Sequence, residues 1–140
     1  MPFAFKFLDM KAKKIWANVS VKDTKRTNQF FTELGFKPNK RISDPKLASF
    51  FFGDAKFVIH FFEQGSRIDE YLPSGSKTSE IIFTLSAETE AEVKEWAEKV
   101  KNAGGNIFIE AGRDETNHYG FGFADPDGHK FNVLLMEEGM

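Results

Sequence analysis

The chain has 140 residues, of which 41% are hydrophobic and 29% are charged, and its formal net charge is -2. This length suits one domain, and the composition is that of a folded globular chain, not a disordered one. The chain contains no cysteine, which excludes a disulfide framework and a thiolate metal site and fits the cytoplasm. It has no apolar run of the ~20 residues that a transmembrane helix needs, and its mixed charges give no footprint for nucleic acid. We therefore expect a cytoplasmic protein that binds neither membranes nor nucleic acid.

The first half of the chain predicts a strand, a helix and three further strands. Apolar and polar residues alternate in IWANVSVKD, 15–23, as in a half-buried strand. A helix is predicted from Thr24, with Asp23 as its N-cap and Gly35 just past its C-terminal end. Two short extended segments follow, and FVIHFFE, 57–63, closes this half as its last strand.

The second half repeats this order after a polar, turn-rich linker. EIIFTLSA, 80–87, predicts a strand, and Thr89 with Glu92 forms a capping box at the start of a helix. NIFIEAGR, YGFGFAD and FNVLLME then predict three strands, the last of which follows a DPDG turn at 125–128. His129, directly after this turn, is expected to face solvent.

The repeated order of elements predicts one α+β domain made of two βαβββ modules. One module alone has too little sheet to bury its own face, so we expect the two to pack together. The predicted parts are an N-terminal extension (1–12), the first module (13–64), the linker (65–78) and the second module (79–138).

Two segments, NVSVKDTKRTNQFFTELGF and FADPDGHKFNVLLM, resemble the vicinal oxygen chelate superfamily, which contains glyoxalases, bleomycin-resistance proteins and extradiol dioxygenases. The chain looks most similar to bacterial predicted lactoylglutathione lyase-like proteins, over residues 13–138. The resemblance implies that the modules form an incomplete barrel with a concave cleft. In such proteins, histidines and glutamates of the first and last strand of each module bind a divalent metal in the cleft.

The family's four metal-ligand positions are poorly filled in this chain. Tryptophan and valine have no lone pair to offer, an asparagine carbonyl is a weak ligand, and one carboxylate does not hold zinc or iron. We therefore expect no cofactor. The alternative is a divalent metal (Zn, Ni, Mn or Fe) bound at an irregular site by His60, Glu80 and His118. The four inherited positions are Trp16, Val58, Glu80 and Asn132.

Seventeen phenylalanines, together with the poorly filled metal positions, favour a binding protein with an aromatic cleft. Such a protein would hold a small, partly aromatic organic molecule, as drug-sequestering members of the superfamily do, and would form a homodimer, as members commonly do. The alternative is a metal-dependent lyase or isomerase, or an extradiol dioxygenase-type enzyme, so whether the chain is an enzyme stays open. The expected ligand-binding residues are Trp16, Asn18, Val58, His60, Phe62, Glu80, Asn132 and Leu134.

Several of these residues allow more than one role. Three roles are open for His60: a pocket histidine with one hydrogen bond, a substitute metal ligand, or a general acid/base. Glu80 is either an exposed carboxylate at the end of a strand or a catalytic acid or base. Glu80 and His60 are therefore the candidate catalytic residues. Trp16 either fills the space of the metal or stacks on a flat ligand. His118 either borders the mouth of the pocket or is an ordinary polar loop residue.

Overall fold

The computed structural model describes residues 12–40 and 44–137. The predicted N-terminal extension, 1–12, lies outside this range except for Ala12. The first module contains β1 (Ala17–Val21), α1 (Thr24–Leu34), β2 (Lys37–Pro38), β3 (Leu47–Phe52) and β4 (Phe57–Glu63). A 3₁₀ helix (Arg67–Glu70) lies in the predicted linker. The second module contains β5 (Ile82–Ala87), α2 (Glu90–Asn102), β6 (Asn106–Arg113), β7 (Tyr119–Ala124) and β8 (Lys130–Leu135).

Each module contributes one four-stranded mixed sheet. The strand orders are β1-β4-β3-β2 and β5-β8-β7-β6, so the two sheets have the same topology. In both, the first strand pairs parallel with the last, and the other pairs are antiparallel. Over the described residues neither sheet closes into a barrel, and the predicted α+β fold with a repeated βαβββ order is confirmed. Among the same residues, neither helix has the length and apolar character to cross a membrane.

The helix ends follow the predicted capping signals. At the start of α1, the side chain of Asp23 accepts hydrogen bonds from backbone N–H groups of the first turn. At the start of α2, the hydroxyl of Thr89 accepts a hydrogen bond from the backbone N–H of Glu92. Gly35 ends α1 with φ at +96°, a left-handed conformation that glycine adopts without steric cost. These local signals therefore place both modules' helices correctly.

A single aromatic core joins the two modules. Phe31 of α1 is fully buried, and its ring lies 4.8 Å from that of Phe61 on β4 and 5.7 Å from that of Phe131 on β8. Phe131 in turn stacks on Phe123 of β7 at 5.2 Å. Because strand side chains alternate between faces, these rings occupy only one face of each sheet. The opposite face of each sheet is left open for a site.

The turn before β8 also links the modules, through a contact between distant parts of the chain. Oδ1 of Asp127 accepts hydrogen bonds from the backbone N–H of Lys22 (2.9 Å) and from Nη2 of Arg26 (3.0 Å). Nδ1 of His129 lies 2.8 Å from Oδ2 of Asp125. The turn thus packs against the β1–α1 junction of the first module.

His129 is only 6% exposed, so the prediction that it faces solvent is wrong. Its burial follows from the packing of the turn on the first module. Burial by itself lowers the pKa of His129. The hydrogen bond to Asp125, the charges of Asp125 and Asp127, and a hydrogen bond to the Ser20 backbone outweigh that effect, and the pKa is raised. The result is a buried ion pair between His129 and Asp125.

Candidate functional site

Strand alternation places the predicted site residues on the open sheet faces. On β4, Ile59 and Phe61 point into the core, which puts His60 and Phe62 on the opposite face. β1 lies beside β4, with Asn18 directly opposite His60 in the register. The neighbouring strands β1 and β4 therefore supply one continuous surface.

A cavity of about 540 Å³, which we call the first-sheet cavity, lies on this surface. Its floor holds a row of rings: Trp16 lies edge-on to His60 with centroids 6.4 Å apart, and His60 lies 5.8 Å from Phe62. Four further lining residues come from the 3₁₀ helix and the residues after it. The lining residues are Trp16, Asn18, His60, Phe62, Arg67, Ile68, Tyr71 and Leu72.

The contribution of the linker was missed by the sequence prediction, which treated residues 65–78 as a polar connection. The overlooked signal is the spacing of Ile68, Tyr71 and Leu72 at i, i+3 and i+4, which is typical of one helical face. Ile68 is buried, and the segment forms one wall of the first-sheet cavity. The linker is therefore part of the candidate site.

A short polar relay holds His60 in place at the cavity floor. Nδ1 of His60 lies 2.8 Å from the hydroxyl of Ser49 on β3, and the side-chain amide of Asn39 donates to the same hydroxyl at 3.3 Å. Burial lowers the pKa of His60, which favours the neutral imidazole. A neutral, oriented imidazole can donate or accept one hydrogen bond to a ligand.

The second module has its own, smaller cavity of about 220 Å³, which we call the second-sheet cavity. Asn132 and Leu134 of β8 line it, together with His118 from the loop before β7. Gly120 and Gly122 form its floor, and a Cβ at Gly120 would collide with the carbonyl oxygen of Val133, so a side chain there is excluded. The predicted Asn132 and Leu134 thus lie apart from the first-sheet cavity.

A third cavity, of about 170 Å³, lies beneath the linker. Asn18, Ser20, Thr78 and His129 line it, and Glu80 is an exposed residue at its edge. Val58 is half-buried on β4 and lines none of these three cavities. The predicted set is therefore divided: Trp16, Asn18, His60 and Phe62 come together, Glu80 meets only Asn18, in the third cavity, and Asn132, Leu134 and Val58 join neither group.

The residues present do not fit the divalent metal that the fold implies. At the four inherited positions only Glu80 carries a charged donor, and Trp16 and Asn132 line different cavities. The alternative ligands His60, Glu80 and His118 are spread over three cavities. Within the described ranges, no three histidine or acidic side chains come close enough together to hold a metal ion.

Comparison with known proteins decides the family. The model of the glyoxalase/bleomycin resistance protein/dioxygenase superfamily matches residues 15–133. The chain belongs to this superfamily. The resemblance stated from the two sequence segments is thereby confirmed. No curated protein matches the chain.

Several solved structures share the fold over almost the whole chain. Hypothetical protein SA1046 from S. aureus is 28% identical, with a TM-score of 0.79 over 91% of this chain and 96% of that one. A glyoxalase-related enzyme from Fulvimarina pelagi is 17% identical, with a TM-score of 0.75 over 89% of each chain. The fosfomycin resistance protein FosX from Mesorhizobium loti is 15% identical, with a TM-score of 0.65 over 92% of this chain and 96% of that one. At 17% and 15% identity, the last two show the fold alone.

Proposed function

We propose that this chain binds a small, partly aromatic organic molecule in the first-sheet cavity, and that the inherited metal positions hold no metal. One observation carries the proposal: the row of Trp16, His60 and Phe62 lines a cavity of about 540 Å³. Sites for small molecules typically measure ~300–1,000 Å³ and combine aromatic walls with a few polar groups. Here the polar groups are Asn18 and the oriented imidazole of His60.

The exposure of Trp16 supports stacking more than filling of space. Its side chain is 52% exposed, so the indole does not plug the cavity but presents much of its surface to any ligand. Tyr71, also exposed, lines the same cavity from the linker. A flat ring bound beside Trp16 would cover apolar surface that is now in water, which is favourable by about 25 cal/mol per Å². Arg67 also lines the cavity; its ion pair with Glu70 at 3.6 Å is exposed and therefore weak, so an acidic group of a ligand can compete for the guanidinium.

Replacing Trp16 with alanine is expected to weaken binding of an aromatic anion at least tenfold, which corresponds to about 1.4 kcal/mol. The probe is 8-anilinonaphthalene-1-sulfonate, whose own fluorescence reports its dissociation constant. The matched control is Trp96→Phe, because Trp96 packs on Phe36 of the core at 5.3 Å and does not line this cavity. The control variant should bind the probe as the unaltered chain does.

Competition sharpens this experiment. Naphthalene-1-sulfonate should displace the probe, and cyclohexanesulfonate, which has the same charge without an aromatic ring, should displace it poorly. Equal loss of affinity in the Trp16→Ala and Trp96→Phe variants, or equal displacement by the two competitors, would contradict the aromatic site.

We also propose that the protein is a cytoplasmic homodimer. Large apolar side chains stay exposed on the second sheet's side of the chain, including Ile82 and Ile109, and contiguous apolar surface of this kind is typical of interfaces. One chain has a mass of 15.9 kDa, and sedimentation equilibrium is expected to give twice this value. A mass that stays at one chain over the micromolar range would refute the dimer.

A further inference from the structure

We propose that the first-sheet cavity selects aromatic carboxylates, because Ser49 holds the imidazole of His60 in the tautomer that presents an N–H donor to the ligand. This inference rests on the proposed function and names the ligand class of that site. It stands on the position of one hydroxyl proton and on the polar groups of the cavity lining. Ser49 touches His60 but does not line the cavity, so it acts as a positioning residue.

The hydroxyl of Ser49 lies between two polar partners of the first sheet. The side-chain amide of Asn39 donates to its oxygen at 3.3 Å, and Nδ1 of His60 lies 2.8 Å from the same oxygen. Within the described ranges, Nδ1 is the only acceptor that this hydroxyl reaches. Because Ser49 is only 6% exposed, leaving its proton without an acceptor would cost free energy. The hydroxyl therefore donates to Nδ1.

This hydrogen bond decides which nitrogen of His60 carries the proton. A neutral imidazole that accepts at Nδ1 has its proton on Nε2. Burial lowers the pKa of His60, so the neutral form prevails at pH 7 and above. Among the described residues Nε2 has no hydrogen-bond partner, yet it is not one of their buried unpaired atoms, so it keeps surface that a ligand can reach. The cavity thus receives an N–H donor from His60 and not a lone pair.

Asn18 adds a second donor beside this one. It lies directly opposite His60 in the parallel β1–β4 register, and neighbouring strands are about 4.8 Å apart. Both side chains line the first-sheet cavity, and the Asn18 amide makes no hydrogen bond within the part of the chain that the structure describes. The two oxygens of one carboxylate can therefore accept from both residues at once.

The other polar groups of the lining favour the same ligand. Arg67 carries a positive charge, and Trp16 and Tyr71 carry an N–H and an O–H donor. None of the described lining residues is acidic, and Glu70, which pairs with Arg67, is exposed and lies outside the lining. A ligand with a flat ring for the aromatic side chains and a carboxylate for the donors therefore matches this cavity.

The test uses the full-length protein and two probes, indole-3-acetate and 3-methylindole, which share a ring system but differ in the carboxylate. Two-dimensional ¹H–¹⁵N NMR titrations at pH 8 give both dissociation constants. Indole-3-acetate is expected to bind about tenfold more tightly, as suits hydrogen bonds to a charged acceptor. The imidazole ¹⁵N spectrum of His60 should show the Nε2-protonated tautomer in the free protein.

Two serine variants test the positioning role. Ser49→Ala removes the donor to Nδ1, so His60 should show a mixture of tautomers and the preference for indole-3-acetate should shrink, while 3-methylindole binds as before. The matched control is Ser86→Ala, because Ser86 is exposed on β5 and lines none of the three cavities. This control should keep both the tautomer and the preference.

The outcomes separate this inference from the proposed function. If neither probe binds, both fail together. If 3-methylindole shifts the signals of the first-sheet cavity and indole-3-acetate binds no more tightly, the aromatic site stands and the selection of carboxylates is refuted. An Nδ1-protonated His60, or an unchanged preference in Ser49→Ala, would overturn the role of Ser49.

Discussion

Replacing Phe31 with alanine is expected to lower the free energy of unfolding by about 3–5 kcal/mol, the range for a fully buried phenylalanine. Phe31 is 0% exposed, and its ring contacts Phe61 of the first module and Phe131 of the second. Removing it leaves a cavity where the two modules meet, so neither module can fill the space alone. Urea denaturation followed by circular dichroism measures the loss.

The control for this substitution is Phe108→Ala. Phe108 is 43% exposed and lies on the open side of the second sheet. Its replacement should cost less than about 1 kcal/mol, as is usual for surface positions. Similar losses for the two variants would mean that the aromatic core is not what holds the modules together.

Replacing Asp125 with alanine is expected to cost about 3–5 kcal/mol at pH 6, because it leaves the charged imidazole of His129 buried without its partner. The side chain of Asp125 is fully buried and that of His129 is 8% exposed. His129→Gln also breaks the ion pair, but the Asp125 carboxylate keeps the hydrogen bonds that its Oδ1 accepts from the backbone N–H groups of residues 127 and 129, so this substitution is expected to cost less. Chemical denaturation of both variants at pH 6 tests this order, and the loss of less than about 1 kcal/mol in both variants would contradict the ion pair.

The same ion pair predicts how stability depends on pH. Since folding raises the pKa of His129, the folded chain holds this proton more tightly than the unfolded chain does. The stabilisation is therefore fully present below pH 6.5, the ordinary value for histidine, and is lost as the pH rises through the raised pKa of the folded state. His60, whose pKa is lowered, has the opposite effect: the unfolded chain binds its proton more readily, so its contribution to stability is lost as the pH falls through 6.5. His129→Gln keeps His60, so the comparison of the two chains removes this contribution.

Unfolding free energies measured from pH 6 to pH 9 should fall for the unaltered chain and stay flatter for His129→Gln. A fall of the same size in both chains would assign the pH dependence to other groups.

The sequence predicted those parts of the fold that depend on neighbouring residues. Capping by Asp23 and Thr89 and the chain reversal at Gly35 involve contacts within a few positions, so local patterns are enough. The burial of His129 was mispredicted because it depends on a docking between Asp127 and Lys22, which lie far apart in sequence. No pattern of apolar and polar residues near His129 indicates that contact.

For the candidate site, too, the sequence predicted what depends on a single strand but not what depends on the arrangement of the two sheets. Alternation along β4 correctly put His60 and Phe62 on one face, and Trp16 and Asn18 share their cavity. Which strand faces meet in one cavity depends on how the two sheets are arranged, and strand patterns do not contain that information. For this reason Asn132, assigned by resemblance to the same cleft, lies in a separate cavity.

The parallel pairing of each first strand with its module's last strand has a consequence for synthesis on the ribosome. β5 lies beside β8, so from Ile82 onward the growing chain holds an incomplete sheet until Lys130 and the residues after it have emerged. β8 is an interior strand, and it carries Phe131 of the shared core. A nascent chain stopped before β8 would thus lack the middle of its second sheet and not an edge, and would be the form of this protein most exposed to aggregation.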